Sequence, residues 1–193
     1  MGQKASKLSP KTMNDLLCRV EVDLSREEIQ EWYNEFKSTL PEGQDTMSKG
    51  DFIKVYNKMF AGDATYFADH VFRTFDKNHD GKLNFKEFIV GVCMSGSSDP
   101  EVKMKWAFQM YDIDGDGYIS RDEMENLIKA ISLMALSDDN SSPRELTESL
   151  FQKLDTNKDN LISQEEFIVG AQKDTMLMDI LQFDPNPDDG DAY

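Results

Sequence analysis

The sequence predicts an all-α fold built from four helix-loop-helix units in two pairs, with short strand pairing between the loops of each pair. Three observations favour this fold. Acidic twelve-residue segments recur with their first places at 76, 112 and 155, so they lie 36 and 43 residues apart. Apolar residues at helical spacing flank these segments. The eighth place of each segment is apolar, as a short strand between neighbouring loops requires.

The segment from 112 to 123, the third loop, shows most clearly what the loops can bind. It has carboxylates at the first, third and fifth places, Gly117 at the sixth and a glutamate at the twelfth. A calcium loop has this spacing, with a backbone carbonyl as the seventh-place ligand. A solvated acidic loop is the alternative, but carboxylates this close repel each other strongly without a cation. The predicted ligands are Asp112, Asp114, Asp116, the Tyr118 carbonyl and Glu123.

Two further segments follow the same pattern, so we expect three calcium ions. The second loop, 76–87, satisfies it fully, whereas the fourth loop, 155–166, has Asn160 in place of the sixth-place glycine. Asparagine tolerates the left-handed conformation better than most residues, so we expect this site to bind, but to be the weakest or slowest. The predicted ligands are Asp76, Asn78, Asp80, the Lys82 carbonyl and Glu87 in the second loop, and Asp155, Asn157, Asp159, the Leu161 carbonyl and Glu166 in the fourth.

The first loop, 40–51, is predicted not to bind calcium. Leu40 at its first place has no ligand oxygen, and Asp51 at its twelfth place is too short to bind as a bidentate glutamate does. Met47 nevertheless keeps the apolar eighth place. The first loop is therefore expected to serve as the strand partner of the second.

The pattern divides the chain into an N-terminal pair of units at 1–96, a C-terminal pair at 97–183 and an acidic flexible tail at 184–193. A capping box beginning at Ser25 starts an amphipathic helix with an aromatic face. A polar hinge near 95–100 separates the pairs, and a polar linker at 137–143 separates the third and fourth units.

Composition excludes several classes of function. The formal net charge of −16 and the pI near 4.4 argue against nucleic acid as a partner. Cys18 and Cys93 are too few for a disulfide framework, and we find neither a signal peptide nor a membrane span. The chain lacks a glycine-rich phosphate loop and a nucleophile motif, so we expect a soluble cytoplasmic protein that is not an enzyme.

The N-terminus fits the N-myristoylation pattern, with Gly2 as the acceptor and Ser6 as the required hydroxyl residue. Lys4, Lys7 and Lys11 follow, and each lysine contributes roughly 1 kcal/mol near anionic lipid. A merely solvated terminus is the alternative interpretation. We expect a lipidated protein that associates reversibly with membranes.

The stretches Ser6–Leu8, Ile29–Tyr33, Phe67–Asp76, Lys105–Phe108 and Gly117–Ser120 resemble the neuronal calcium sensor family of EF-hand proteins, in its hippocalcin, neurocalcin and visinin-like branch. The resemblance runs from Met1 to about Pro185. It implies a myristoylated sensor with an inactive first hand and three working hands, in which calcium extrudes the fatty chain and opens an aromatic groove. The chain departs from the family's Cys-Pro-x-Gly signature, because Leu40 replaces the cysteine.

We therefore predict a calcium-myristoyl switch, in which calcium exposes an apolar groove that accepts an amphipathic helix of a target protein. Such aromatics could also be ordinary core residues. Two other classes stay open: a calcium buffer, and a regulatory subunit of an enzyme like the calcineurin B-like proteins. The sequence leaves the oligomeric state open, a homodimer included. The predicted groove residues are Trp32, Phe36, Phe52, Tyr56, Phe60, Phe67, Phe72 and Phe88.

Overall fold

The computed structural model describes residues 7–19, 22–58, 62–135 and 142–173. Residues 137–141 of the predicted linker, the apolar segment 176–183 and the tail 184–193 lie outside this part of the chain. The elements are α1 (Pro10–Leu17), α2 (Arg26–Thr39), β1 (Thr46–Ser48), α3 (Lys49–Asn57), α4 (Thr65–Phe75), β2 (Lys82–Asn84), α5 (Phe85–Ser95), α6 (Pro100–Tyr111), β3 (Tyr118–Ile119), α7 (Arg121–Ala135), α8 (Pro143–Leu154), β4 (Ile162–Ser163) and α9 (Gln164–Lys173).

This order confirms the predicted all-α fold, because each short strand lies in a loop between two helices of one unit. The first unit is α2-β1-α3, the second α4-β2-α5, the third α6-β3-α7 and the fourth α8-β4-α9. None of the helices in the described ranges is both long enough and apolar enough to cross a membrane.

Local sequence explains where helices begin. Ser25 starts α2 through the predicted capping box: its hydroxyl accepts from the Glu28 amide, and the Glu28 carboxylate accepts from the Ser25 amide at 2.8 Å. Asp99 caps α6, which has Pro100 in its first turn. The predicted boundary at 96/97 falls in the short connection between α5 and α6.

The strands pair within each pair of units, as predicted. β1 runs antiparallel to β2 with Met47 opposite Leu83, and β3 runs antiparallel to β4 with Ile119 opposite Ile162. These four side chains are the eighth-place residues of their loops, and all are buried. The pairing of Met47 with Leu83 therefore agrees with a first loop that begins at Leu40.

The two pairs of units pack against each other through α4. This helix lies against α3 of its own pair and against α6 and α7 of the C-terminal pair. Just before α4, a Cβ at Gly62 would lie 2.3 Å from the Met134 carbonyl oxygen of α7, so only glycine allows this close approach. The helices of both pairs thus contribute to one continuous apolar core.

Candidate calcium loops and apolar cavity

The third loop gathers carboxylates at one point. Single carboxylate oxygens of Asp112, Asp114 and Asp116 lie within 4.8 Å of one another. The Gly115 and Gly117 amides donate to the two oxygens of Asp112, at 2.8 and 3.1 Å, and so orient the first-place side chain. All the candidate ligand atoms are oxygens, which hard dications such as calcium prefer.

The second and fourth loops share two internal hydrogen bonds with the third loop. The sixth-place amides, Gly81 and Asn160, donate to the first-place carboxylates at 2.9 and 3.1 Å. The seventh-place amides donate to the fifth-place carboxylates at 2.9 Å in both loops. The loops differ in one further bond, because the first-place carboxylate also accepts from the fourth-place amide in the third loop and from the fifth-place amide in the other two.

The ninth-place residue orients the twelfth-place glutamate. Glu123 accepts the Ser120 hydroxyl at 2.6 Å and the Ser120 amide at 2.8 Å. Asn84 with Glu87, and Ser163 with Glu166, form corresponding pairs at the start of α5 and α9. Each glutamate thus completes a capping box with its ninth-place residue, so a movement of its carboxylate would act directly on the start of the exit helix.

The protonation of these carboxylates depends on burial and on hydrogen bonding. Burial raises the pKa of Asp112, and repulsion from Glu123 adds to this, against the amides of Gly117 and Gly115, which lower it. Burial would also raise the pKa of Glu166, but hydrogen bonds from Ser163 and neighbouring residues lower it to about 2. Glu166 is therefore a charged ligand candidate at neutral pH.

Left-handed residues distinguish the three acidic loops from the first loop. Each acidic loop has two residues with positive φ, at the fourth and sixth places, and Asn160 is one of them at 68°. In the first loop Gly43, at the fourth place, has φ of 83°, but Asp45 at the sixth place is not left-handed. The sequence analysis predicted a left-handed residue only at the sixth place. Glycine at Gly43 and Gly115 was the signal that could have predicted positive φ at the fourth place. The first loop therefore differs from the other three in backbone conformation at the sixth place, and its predicted inactivity stays a prediction.

A lysine also lies against the acidic part of the first loop. The Lys37 ammonium donates to the Asp45 carboxylate at 2.6 Å and to the Gln44 carbonyl at 2.5 Å. Asp51 at the twelfth place accepts from Lys54 at 3.2 Å. Asp51 occupies the twelfth ligand place, and its carboxylate is already paired with Lys54, whereas Asp45 occupies the sixth place, which supplies no ligand in a calcium loop. The sequence analysis did not identify Lys37, which lies on α2 before the loop begins.

An apolar cavity of about 340 Å³ is lined mainly by the N-terminal pair, with Trp106 of α6 contributing from the C-terminal pair. Phe67 and Phe72 do not line it but are buried behind its wall, where the Phe72 ring packs on Phe52 at 5.6 Å between centroids. Phe60 lies outside the described residues. Five predicted groove residues line it: Trp32, Phe36, Phe52, Tyr56 and Phe88. Further lining residues were not predicted: Glu35, Thr39, Met47, Val55, Val71, Phe75, Val92, Ser95 and Trp106.

The N-terminal segment runs along α2, one wall of this cavity. α1 buries Met13 and Leu16, and the Leu8 amide donates to the Gln30 side chain at 3.2 Å. Lys7 and Lys11 are exposed, whereas Gly2 and Lys4 lie outside the described residues. The chain therefore approaches α2 within six residues of the predicted acylation site.

Comparisons with known proteins agree with this description. Residues 67–93 match the EF hand domain model, and residues 101–171 match the EF-hand domain pair model. Human recoverin is 33% identical over 192 residues, covering 95% of this chain and 94% of recoverin. Guanylyl cyclase-activating protein 1 of Lithobates pipiens is 36% identical over 160 residues, 82% and 77% of the two chains. S-modulin of Aquarana catesbeiana is 32% identical over 190 residues, 94% and 92% of the two chains.

Proposed function

This chain belongs to the neuronal calcium sensor family of EF-hand proteins, and we propose that it works as a calcium-myristoyl switch. Calcium in the second, third and fourth hands would release an acyl chain on Gly2 toward the membrane. The vacated cavity would then accept an amphipathic helix of a target protein. The predicted hippocalcin, neurocalcin and visinin-like branch stays a prediction.

The observation that carries the proposal is the position of the cavity relative to the second loop. Phe75 and Phe88 both line the cavity, and each directly adjoins a predicted ligand, Asp76 and Glu87 respectively. An ion drawing Asp76 and Glu87 together would therefore move two walls of the cavity at once. In sensor EF-hands, calcium opens the angle between such helices and exposes an apolar groove.

Membrane association would need two weak contributions. One myristoyl chain gives an association constant of only about 10⁴ M⁻¹. Lys4, Lys7 and Lys11 are separated from the acidic loops in sequence and would add attraction to anionic lipid, since Lys7 and Lys11 are exposed. Together, the acyl chain and the lysines would bind the membrane strongly enough for recruitment and weakly enough for release, as a reversibly membrane-associated cytoplasmic sensor needs.

Co-sedimentation of the myristoylated protein with anionic vesicles, with and without calcium, tests the switch. We expect pelleting only with calcium, and we expect both Gly2→Ala and Glu87→Gln to stay in the supernatant. The first variant lacks the acceptor for the lipid, and the second lacks the ligand next to the cavity. Pelleting regardless of calcium would indicate a constitutive anchor, and no pelleting in either condition would refute the switch.

A second candidate function is the regulation of an enzyme without a membrane switch. One relative is named as a guanylyl cyclase-activating protein, and a non-catalytic role of this kind would use the same cavity. Mixing the protein with an amphipathic helical peptide distinguishes the two. Under the switch we expect binding only with calcium, whereas a permanent regulatory subunit would bind the helix in both conditions.

A further inference from the structure

Arg73 connects the second hand to the third. It lies on α4, and its guanidinium donates to the Asp112 carbonyl at 2.7 Å and to the Met110 carbonyl at 2.8 Å. Asp112 caps the C-terminus of α6 and is the predicted first-place ligand of the third loop. One side chain of the second hand thus holds the backbone where the third loop begins.

The chemistry of this contact favours a rigid connection. Carbonyls at the end of a helix lack partners within the helix and carry its negative dipole end. The planar guanidinium has fixed donor directions, so it can bind two such carbonyls at once, whereas an ammonium cannot match the geometry. Burial lowers the pKa of Arg73, but the nearby carboxylates of Asp112, Glu123 and Asp114 raise it, and the group stays charged.

The other end of α4 lies against the exit helix of the third hand. Gly62 lies close to the backbone of α7, since a Cβ there would be 2.3 Å from the Met134 carbonyl oxygen and 2.5 Å from that of Leu133. One helix of the second hand therefore lies against both the entry helix and the exit helix of the third hand. If calcium changes the angle between α6 and α7, these contacts cannot both be kept unless α4 moves too.

We infer that Arg73 is a positioning residue that couples calcium binding in the second and third loops. Arg73 lies three residues before Asp76, the predicted first ligand of the second loop, on the same rigid helix. A shift of the third-loop backbone would therefore reposition the second-loop ligand. Linkage makes the effect reciprocal, so each ion would change the affinity of the other loop by the same factor. The inference depends on the proposed calcium binding by both loops.

Calorimetric calcium titrations in a Glu166→Gln background, which silences the fourth loop, test this coupling. With the second and third loops intact, calcium binds in two steps. The coupling factor is the product of the two stepwise association constants divided by the product of the association constants that each loop has alone. Adding Glu87→Gln or Glu123→Gln supplies the single-site constants. We expect a factor different from unity by at least about 5-fold, the lower end of the usual allosteric range. With Arg73→Met, we expect it to fall within about 2-fold of unity.

Lys77→Met is the matched control. Lys77 also reaches across to the third hand, where its ammonium donates to the Gln109 side chain at 2.7 Å, but this bond involves no carbonyl of the loop. Lys77→Met deletes one positive charge, as Arg73→Met does, and we expect the coupling factor to stay as in the parent protein. An equal loss in both variants would attribute the coupling to charge alone and overturn the role of Arg73.

The other outcomes are equally distinct. An unchanged coupling factor in Arg73→Met, or a parent factor of unity, would overturn the inference while leaving the calcium sites in place. If Glu87→Gln or Glu123→Gln removed no ion, the proposed sites themselves would fail. Should Arg73→Met not fold, hydrogen exchange on the protein with both Glu87→Gln and Glu166→Gln decides the question, because only its third loop would then bind calcium. Calcium in the third loop must then change amide protection in α4, and unchanged protection would refute the coupling.

Discussion

Exchanging the sixth-place residues of the third and fourth loops tests whether backbone conformation sets their relative affinities. Gly117 has φ of 89° and Asn160 has φ of 68°, so both are left-handed in otherwise equivalent loops. The change is Gly117→Asn in one protein and Asn160→Gly in another. Because a Cβ at Gly117 would meet no atom within 4 Å, the substitution adds backbone strain without a steric clash.

The expected change in calcium affinity follows from the free-energy cost of placing a residue in the left-handed backbone conformation. An ordinary L-residue pays roughly 1–2 kcal/mol there, whereas asparagine adopts it more readily. We therefore expect Gly117→Asn to weaken calcium binding by the third loop about 2- to 5-fold, and Gly117→Val to weaken it about 10- to 30-fold. Asn160→Gly should strengthen the fourth loop about 2- to 5-fold. It gives up only an exposed hydrogen bond from Arg121 at 3.3 Å.

The assay is a competition titration against a calcium chelator, with the other two acidic loops silenced by Glu→Gln changes at their twelfth places. The strain affects affinity because an ion-free loop can relax its backbone and a loop folded around calcium cannot. The series Gly, Asn, Val at position 117 serves as its own control, since the expected order of affinity follows the cost of positive φ. Equal affinities across this series, or weaker binding in Asn160→Gly, would refute the reasoning.

Three further predictions concern stoichiometry and packing. In calorimetry the parent protein should bind three calcium ions, and a Glu→Gln substitution at the twelfth place of any one acidic loop should reduce this number to two. An unchanged number of bound ions would show that the substituted loop does not bind calcium. Leu40→Glu should not create a fourth site, because Asp45 is not left-handed and is paired with Lys37; a titration reaching four ions would contradict this. Gly91→Ala should destabilise the calcium-free protein by about 1–3 kcal/mol in urea unfolding, since the new Cβ would lie 2.4 Å from the Phe75 ring. Gly50→Ala, whose Cβ has no neighbour closer than 4.0 Å, is the matched control and should instead stabilise α3 by up to about 1 kcal/mol.

Local rules explain why so much of the fold could be predicted. The ligand places of a calcium loop are fixed offsets along the chain, so the twelve-residue spacing predicts three calcium loops and an inactive first loop. The apolar eighth places predicted the strand pairs, and the structure confirms them with Met47 opposite Leu83 and Ile119 opposite Ile162. Capping at Ser25 followed from the four-residue signature of a helix start. Each of these features depends on residues within one turn or one loop.

The details of the candidate site depended on packing between distant segments. Periodicity identified an aromatic stripe, but it could not show that Phe67 and Phe72 lie behind the cavity wall, or that Trp106 contributes to it from the C-terminal pair. The ion pair of Lys37 with Asp45 could not be predicted from the sequence either, because it depends on the angle at which the first loop leaves α2.

Short fixed spacings in the sequence were enough to reveal the repeat, and the same spacings predict the ligand positions, an inactive first loop and an acylation site. How the second hand contacts the third depends on packing between distant segments and is visible only in the folded chain. The contact of Arg73 with the third loop joins residues 37 and 39 positions apart, and no spacing rule encodes it. Its partners are backbone carbonyls, which every residue has, so side-chain identity could not mark them. They are brought into reach only when α4 lies against the end of α6.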